Sequence, residues 1–217
     1  MANIELNLGQ WIVIGICAVL ILAYLRGYFY NRQQASRISA WLQEGMKAWG
    51  RVTSGEGKLP GLASGGRLEV QQAAPPLHSI EAITLLAPRE NPLFWIFYRL
   101  QGKRDELIVW ITFQSKPDQI VEVARSGDQH FQKRLTATDK PTLARMEAPP
   151  GFQMAREEKE GATLAGKVLS FVQRYPSPVR RLVVRPNKPH LFLRADLHAV
   201  QSYPAGVFFK ELSELRK

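Results

Sequence analysis

The sequence predicts an α+β protein with one N-terminal transmembrane helix, followed by a largely antiparallel β domain with two or three helices. Three observations predict this class. Residues 6–25 carry no charge. Short alternating segments separated by turn residues dominate from about residue 67. Amphipathic helical patterns cluster in the last third of the chain, apart from most strands, which favours α+β over a doubly wound sheet.

The amino-acid composition limits the class of protein, its possible metal sites and its possible partners. With 45% hydrophobic and 22% charged residues, the chain is typical of a folded protein. Its one cysteine, Cys17, excludes an intrachain disulfide and any four-thiolate metal site. The net charge is +10, and every Lys and Arg lies at or after Arg26. We therefore expect the part outside the membrane to attract polyanions, either anionic lipid headgroups or nucleic acid.

Residues 1–30 are predicted to form the transmembrane anchor. A charge-free run of this length spans about 30 Å as a helix, which matches a bilayer's hydrocarbon core. Trp11 and Tyr28 flank it as interface aromatics, and Arg26 and Arg32 follow it. Because no positive charge precedes the span, the positive-inside rule predicts an external N-terminus and a cytoplasmic domain at the cell membrane.

Residues 31–51 are predicted to form a juxtamembrane amphipathic helix. Its apolar face contains Ile38, Trp41, Leu42, Gly45, Met46 and Trp49. One interpretation places this face on the membrane, with Trp41 and Trp49 at headgroup depth. The other packs it on the protein's own domain or on a partner. Both interpretations remain open from the sequence.

Residues 52–66 are rich in glycine and predict a linker or hinge, and residues 67–217 predict the α+β domain. Strands are expected at 67–72, 79–87, 93–99, 105–113 and 119–125 as an antiparallel meander. A short helix is expected at 129–135 and a hairpin at 142–147 and 152–156. A helix near 164–175, paired strands at 179–185 and 190–198, and a helix at 205–216 complete the prediction.

No motif for catalysis, a cofactor or a metal survives inspection. The Gly-rich stretch around Lys58 has Leu59 where a phosphate-binding loop needs Ser or Thr. The four histidines form no His-x-His or His-x-x-x-His pair. Asp196 and His198 are expected to share the exposed face of a strand, where a solvated edge explains them as well as an acid–base pair does. We expect no cofactor and favour a protein that is not an enzyme.

Basic residues concentrate on the C-terminal hairpin and predict a basic surface. They are Arg180, Arg181, Arg185, Lys188 and Arg194. This surface is either solvated, attracted to the anionic inner leaflet, or bound to nucleic acid or another acidic partner. Nucleic acid is disfavoured because Phe192 is the single nearby aromatic that could stack on a base.

The preferred hypothesis is a single-pass membrane protein whose cytoplasmic domain is a binding or scaffolding module, for example an accessory subunit of a membrane complex. Its expected partners are the bilayer, anionic lipids and other subunits of that complex. One alternative is a membrane-tethered enzyme with a dispersed site, including Asp196, His198, Glu157 and Arg185. The other is a nucleic-acid-binding membrane protein.

Overall fold

Nine antiparallel strands form one sheet in the computed structural model, which describes residues 7–54, 64–135, 143–157 and 163–216. The predicted α+β class is confirmed. The strands are β1 (Thr53–Ser54), β2 (Ser64–Gln71), β3 (Leu77–Leu86), β4 (Glu106–Phe113), β5 (Val121–Arg125), β6 (Leu143–Met146), β7 (Phe152–Glu157), β8 (Val179–Val184) and β9 (Leu191–Asp196). Their order across the sheet is β1-β2-β3-β4-β9-β8-β5-β7-β6.

The predicted meander ends at β4, which pairs with β9 instead of β5. Strand β4 lies inside the sheet because it has β3 and β9 as neighbours. Its residues alternate: Leu107, Val109 and Ile111 are buried on one face, whereas Trp110 is half-buried on the other. This period of two shows that one face carries the main core and the other remains partly open to solvent.

Helix α1 (Leu8–Met46) is one continuous helix of 39 residues. Asn7 caps it, since its Oδ1 accepts a hydrogen bond from the Gln10 amide at 2.9 Å. Residues 8–26 project from the domain with exposed or half-exposed side chains, and we call them the projecting segment. This segment is long and apolar enough to cross a membrane. Residues 27–46, the packed segment, lie against the sheet.

Burial on one helical face holds the packed segment in place. Ile38, Leu42 and Met46 are each no more than 1% exposed and belong to the main core. The same core includes helices α4 (Thr163–Arg174) and α6 (Ala205–Ser213), so α1, α4 and α6 cover one face of the sheet. Helix α3 (Gln129–Leu135) confirms the short predicted helix and packs through Phe131 on the other face.

One predicted strand, residues 93–99, is wrong, because helix α2 (Pro92–Leu100) occupies that position. Proline fits the first helical turn, where no intrahelical N–H bond is lost. Oδ1 of Asn91 accepts a hydrogen bond from the Phe94 amide at 3.2 Å and caps the helix. Aromatic and β-branched residues predicted a strand here, but the local cap outweighs that weak preference.

Three further predictions need correction. Five helices follow α1 in the described residues, more than the two or three expected, and they include the short α5 (Leu197–Val200). Strand β9 ends at Asp196, so His198 lies on α5. Both ends of the predicted linker 52–66 belong to the sheet, because β1 pairs with β2. Residues 55–63 of that linker lie outside the described residues.

Candidate functional site

Buried polar groups of α1 meet the domain at the end of the sheet from which the projecting segment leaves, which we call the exit end. Asn31 and Gln34 are 6% and 9% exposed. The side-chain amide of Asn31 donates to the Ala87 carbonyl at 2.9 Å. Its Oδ1 accepts from Arg89 Nη1 at 3.1 Å. A buried amide is tolerated only with such partners, so these bonds fix α1 on the turn that follows β3.

Asp105, just before β4, is the centre of this cluster. Its Oδ1 accepts from the Ala87 amide at 2.8 Å and from Arg89 Nη1 at 3.0 Å. Its Oδ2 accepts from Arg89 Nη2 at 2.9 Å, which completes a bidentate pair. Nε2 of His198 lies 3.2 Å from the same Oδ2. The Asp105 side chain is fully buried, so its charge depends on these partners.

The polar cluster stabilises the contact between α1 and the domain. It consists of Asn31, Gln34, Arg89, Asp105 and His198. Nδ1 of His198 lies 3.3 Å from Gln34 Nε2, so both ring nitrogens already face protein groups. A general base needs a free lone pair directed at a substrate. The cluster also contains no serine, threonine or cysteine nucleophile. In the part of the chain that the structure describes, no group of three His, Cys, Asp or Glu residues could hold a metal ion.

A groove of about 470 Å³ separates α1 from α2 beside this cluster. Ala23 and Gly27 of α1 line one side, and Trp95 and Ile96 of α2 line the other. His198 lies in the same lining. Arg26 of α1 and Arg99 of α2 also line it, so the groove has apolar helical walls with a cation on each helix.

Helix α2 exposes more apolar surface than any other part of the domain in the described residues. The exposed fractions are 66% for Leu93, 50% for Phe94, 49% for Ile96, 61% for Phe97 and 77% for Leu100. Beyond α1 and α2, Val207 is the one large apolar side chain in the described residues that is exposed to this extent. Apolar patches of this kind mark binding surfaces.

Cations surround the C-terminal end of α2. The Arg99 guanidinium lies 6.0 Å from the Trp95 ring and the Lys103 ammonium lies 5.6 Å from the Tyr98 ring. A cleft of about 380 Å³ is lined by Arg99, Lys103 and Arg104 together with Arg89, Asp196 and His198. Positive side chains therefore predominate in the lining of this cleft.

Tyr98 lies close to the same helix end. Burial and the nearby Glu106 and Asp105 carboxylates raise the pKa of its hydroxyl group.

Most of the predicted basic surface is committed to ion pairs or hydrogen bonds. Nη2 of Arg180 lies 2.8 Å from Asp196, and Arg181 pairs with Glu122 at 2.6 Å. Arg194 pairs with Glu106 at 2.6 Å. The remaining two positions differ: Arg185 donates to the Pro189 carbonyl at 3.1 Å, and Lys188 is exposed in the turn between β8 and β9.

These pairs also change the acid–base behaviour of their members. Burial raises the pKa of Asp196, but hydrogen bonds from Arg180 and from the Ala199 amide outweigh it and leave that pKa below its usual value. The hydrogen bonds to Glu106 raise the pKa of Arg194. Both groups are thus held in their charged forms by cross-strand partners.

The six residues predicted for a membrane interface divide into two groups. Trp11, Arg26, Tyr28 and Arg32 are exposed, in or next to the projecting segment. Trp41 instead donates its indole N–H to the Tyr203 carbonyl at 2.9 Å, and its ring lies 5.6 Å from that of Phe209. Trp49 is half-buried against the core. For the helix at 31–51, the structure therefore shows the alternative in which its apolar face packs on the domain.

The four residues of the dispersed enzyme hypothesis do not come together. Asp196 and His198 share the cleft at the exit end. Arg185 follows the opposite end of β8, and Glu157 ends β7 at that same far end. Arg89, Asp105 and the apolar face of α2 were not among the residues predicted from the sequence. Spacing of i, i+3, i+4 and i+7 at Leu93, Ile96, Phe97 and Leu100 was the signal that could have identified α2.

No protein-family model and no curated protein sequence matches this chain. Among solved structures, the chain is similar to the crystal structure of the mycobacterial trehalose monomycolate transport factor A, TtfA. The superposition has a TM-score of 0.42 and 8% sequence identity, and it covers 85% of this chain and 94% of that chain. At this TM-score and identity, the similarity does not bear on the function of this chain.

Proposed function

We propose that this protein is a single-pass membrane protein whose cytoplasmic α+β domain serves as a binding or scaffolding module, such as an accessory subunit of a membrane complex. The observation that carries the proposal is the division of α1 along its length. One continuous helix exposes its apolar N-terminal part and buries one face of its C-terminal part in the domain core.

The projecting segment suits a bilayer in length and composition. Residues 8–25 extend over about 27 Å as a helix, close to the thickness of the hydrocarbon core. Lipid offers no hydrogen-bond partners to the backbone, and a helix pairs its own N–H and C=O groups internally. In water, the exposure of Ile12, Val19 and Leu22 at 55–66% would leave a large apolar surface without a partner. A membrane removes that cost.

The charge distribution supports a cytoplasmic domain. No Lys or Arg precedes Arg26, whereas Arg26, Arg32 and Arg37 follow the apolar residues. Cytoplasmic flanks of transmembrane helices carry this excess of positive charge.

The polar groups at the exit end favour binding over catalysis, because they already form hydrogen bonds or ion pairs with one another. The cluster around Asp105 uses its donors and acceptors within the protein. The apolar surface of α2 and the cations beside it remain available for contacts with lipid or with neighbouring subunits. The described residues of the domain thus offer surfaces for association.

Cysteine accessibility tests the topology, because Cys17 is the single native cysteine. In a Cys17→Ser background, Ala2→Cys and Asn187→Cys are labelled with a membrane-impermeant maleimide in intact cells and in inverted vesicles. We expect position 2 to react in cells and position 187 in vesicles. Reaction of position 187 in intact cells would overturn the cytoplasmic placement. Release of the protein from membranes by alkaline carbonate would overturn the span itself.

Purification of the full chain in a mild detergent tests the scaffolding role. We expect co-purification of at least one membrane protein in a fixed ratio. Recovery of the chain as a monomer, under conditions that preserve known complexes from the same membrane, would contradict this role.

A further inference from the structure

We infer that α2 is a second membrane contact: a short helix that lies in the plane of the bilayer, within the interfacial layer of the leaflet from which α1 emerges. This inference rests on the proposed function, because it requires α1 to cross the membrane. The occupant of the exposed face of α2 is therefore lipid.

The position of α2 along α1 supports this placement. A Cβ added to Gly27 would lie 1.9 Å from the Arg89 carbonyl oxygen, so the turn that leads into α2 touches α1 directly. Gly27 follows Arg26, the first charge after the apolar residues. Trp95 and Ile96 line the groove with Ala23, which still belongs to the projecting segment. Helix α2 thus stands beside the residues of α1 that would cross the headgroup layer.

The shape of the apolar face fits an interfacial helix. Leu93, Ile96, Phe97 and Leu100 follow the i, i+3, i+4, i+7 spacing, so they share one side of the helix, with Phe94 at its margin. This side is open to the surroundings, since the exposed fractions of these residues run from 49% for Ile96 to 77% for Leu100. Aromatic and large aliphatic residues on one side of a short helix are typical of helices embedded at the acyl–headgroup boundary. Helix α2, with nine residues, is too short to cross a bilayer.

Charge at the end of α2 matches a phosphate layer. Arg99, Lys103 and Arg104 occur without an acidic residue between Glu90 and Asp105. Arg104 is 71% exposed although its Nη1 lies 3.8 Å from Asp196 Oδ2, and the Arg99 and Lys103 cations lie over aromatic rings of α2. Basic residues near an anionic surface add attraction to the apolar insertion. This basic rim favours lipid over a second copy of this chain, whose own exit end is also positive.

Fluorescence quenching by brominated lipids tests the inference on the full chain. The environment-sensitive dye NBD is attached in detergent to Cys17 of the native chain. In a Cys17→Ser background it is attached to Phe97→Cys on α2 or to Asn187→Cys in the far turn. Each protein is then reconstituted into anionic vesicles that contain lipids brominated near the headgroup or near the chain ends.

We expect the dye at position 97 to lose most of its fluorescence to headgroup-brominated lipids and less to chain-end-brominated lipids. Position 17 should show the opposite order, and position 187 should lose almost none. Quenching at position 17 without quenching at position 97 would overturn the inference and leave the proposed anchor intact. A dye at position 17 that neither lipid quenches would overturn the proposed function as well.

A substitution separates lipid contact from contact with protein. With the dye on Leu93→Cys, Phe97→Asp should lower quenching by headgroup-brominated lipids several-fold, because a charge on the lipid side opposes insertion. Val207→Asp, the matched exposed apolar position on α6, should leave the quenching unchanged. Equal effects of both substitutions, or no effect of Phe97→Asp, would overturn the inference.

Discussion

Asp105 joins three segments that are distant in sequence: the turn after β3 through Ala87 and Arg89, the start of β4, and α5 through His198. Its side chain is fully buried, and the paired Arg89 side chain is 18% exposed. In such surroundings a carboxylate is stable only while its counter-charge and donors remain in place. Asn31 extends the same network to α1.

We predict that Asp105→Asn lowers the free energy of unfolding by about 3–5 kcal/mol, because the largely buried Arg89 guanidinium loses its counter-charge and keeps only neutral acceptors such as Asn31 Oδ1. The measurement is denaturant unfolding of the full chain in detergent micelles. Glu106→Gln is the matched control, since Glu106 pairs with Arg194, whose side chain is 40% exposed. Glu106 is itself 18% exposed, so this pair is partly buried but more open to water than Arg89–Asp105, and we expect a smaller loss of about 1 kcal/mol. Equal losses in the two variants would contradict the role of burial.

Ion pairs between distant strands cannot be predicted from local sequence patterns. Glu106 and Arg194 are 88 positions apart, and Glu122 and Arg181 are 59 positions apart. Each pair forms because the register of two neighbouring strands brings the side chains together. The sequence predicted these basic residues on a C-terminal hairpin, and Arg180, Arg181 and Arg194 do lie on the paired strands β8 and β9. Strand order determines their partners, however, and that order was unknown. Much of the predicted basic surface is for that reason internally neutralised.

At the scale of elements, helix α2 shows why a local pattern was misread. A short run rich in Phe, Trp, Ile and Tyr has high strand propensity. Asn91 as a cap and Pro92 in the first turn indicate a helix, and an apolar stripe at helical spacing agrees with them. Other helices, such as α4, were predicted because one face is polar and the period is clear. In α2, apolar residues such as Phe94 and Trp95 also lie between the positions of that stripe, so the helical spacing identifies a helix only together with Asn91 and Pro92.

Close packing of α1 on the turn before α2 depends on Gly27. We predict that Gly27→Ala lowers the free energy of unfolding by about 1–3 kcal/mol, as overpacking does, because the new Cβ would meet the Arg89 carbonyl at 1.9 Å. The neighbour is backbone and cannot rotate away. Thermal unfolding of the full chain in micelles measures the effect.

Gly15→Ala supplies the control for this change. It lies in the projecting segment of the same helix, and nothing stands within 4 Å of an added Cβ. Alanine favours a helix over glycine by about 0.5–1 kcal/mol, so this variant should be neutral or slightly more stable. Destabilisation of both variants to the same extent would indicate an effect of helix composition and would contradict the close contact at Gly27.

At the scale of the whole molecule, the continuity of α1 decides how the domain relates to its anchor. The Gly-rich residues 52–66 predicted a hinge between membrane and domain. The chain reaches the domain core earlier, because Ile38, Leu42 and Met46 of α1 are already buried. The predicted hinge at 52–66 follows this packed part of α1 and therefore does not lie between the projecting segment and the domain core. The length of the anchor was predictable from hydropathy, whereas the packing of its continuation depended on α6, more than 150 positions away.

A continuous helix should hold the domain at a fixed height and orientation. We predict that spin labels at Leu8→Cys and Asn187→Cys, in a Cys17→Ser background in lipid nanodiscs, give one narrow distance distribution in pulsed electron resonance. The projecting and packed segments would move as one body, because no break in helical hydrogen bonding separates them. Insertion of a short Gly-Ser linker between Arg26 and Gly27 should broaden the distribution, since such linkers behave as flexible coils. A distribution as broad in the unmodified chain as in the linker variant would show that α1 bends where it leaves the domain, and the fixed orientation would then have to be abandoned.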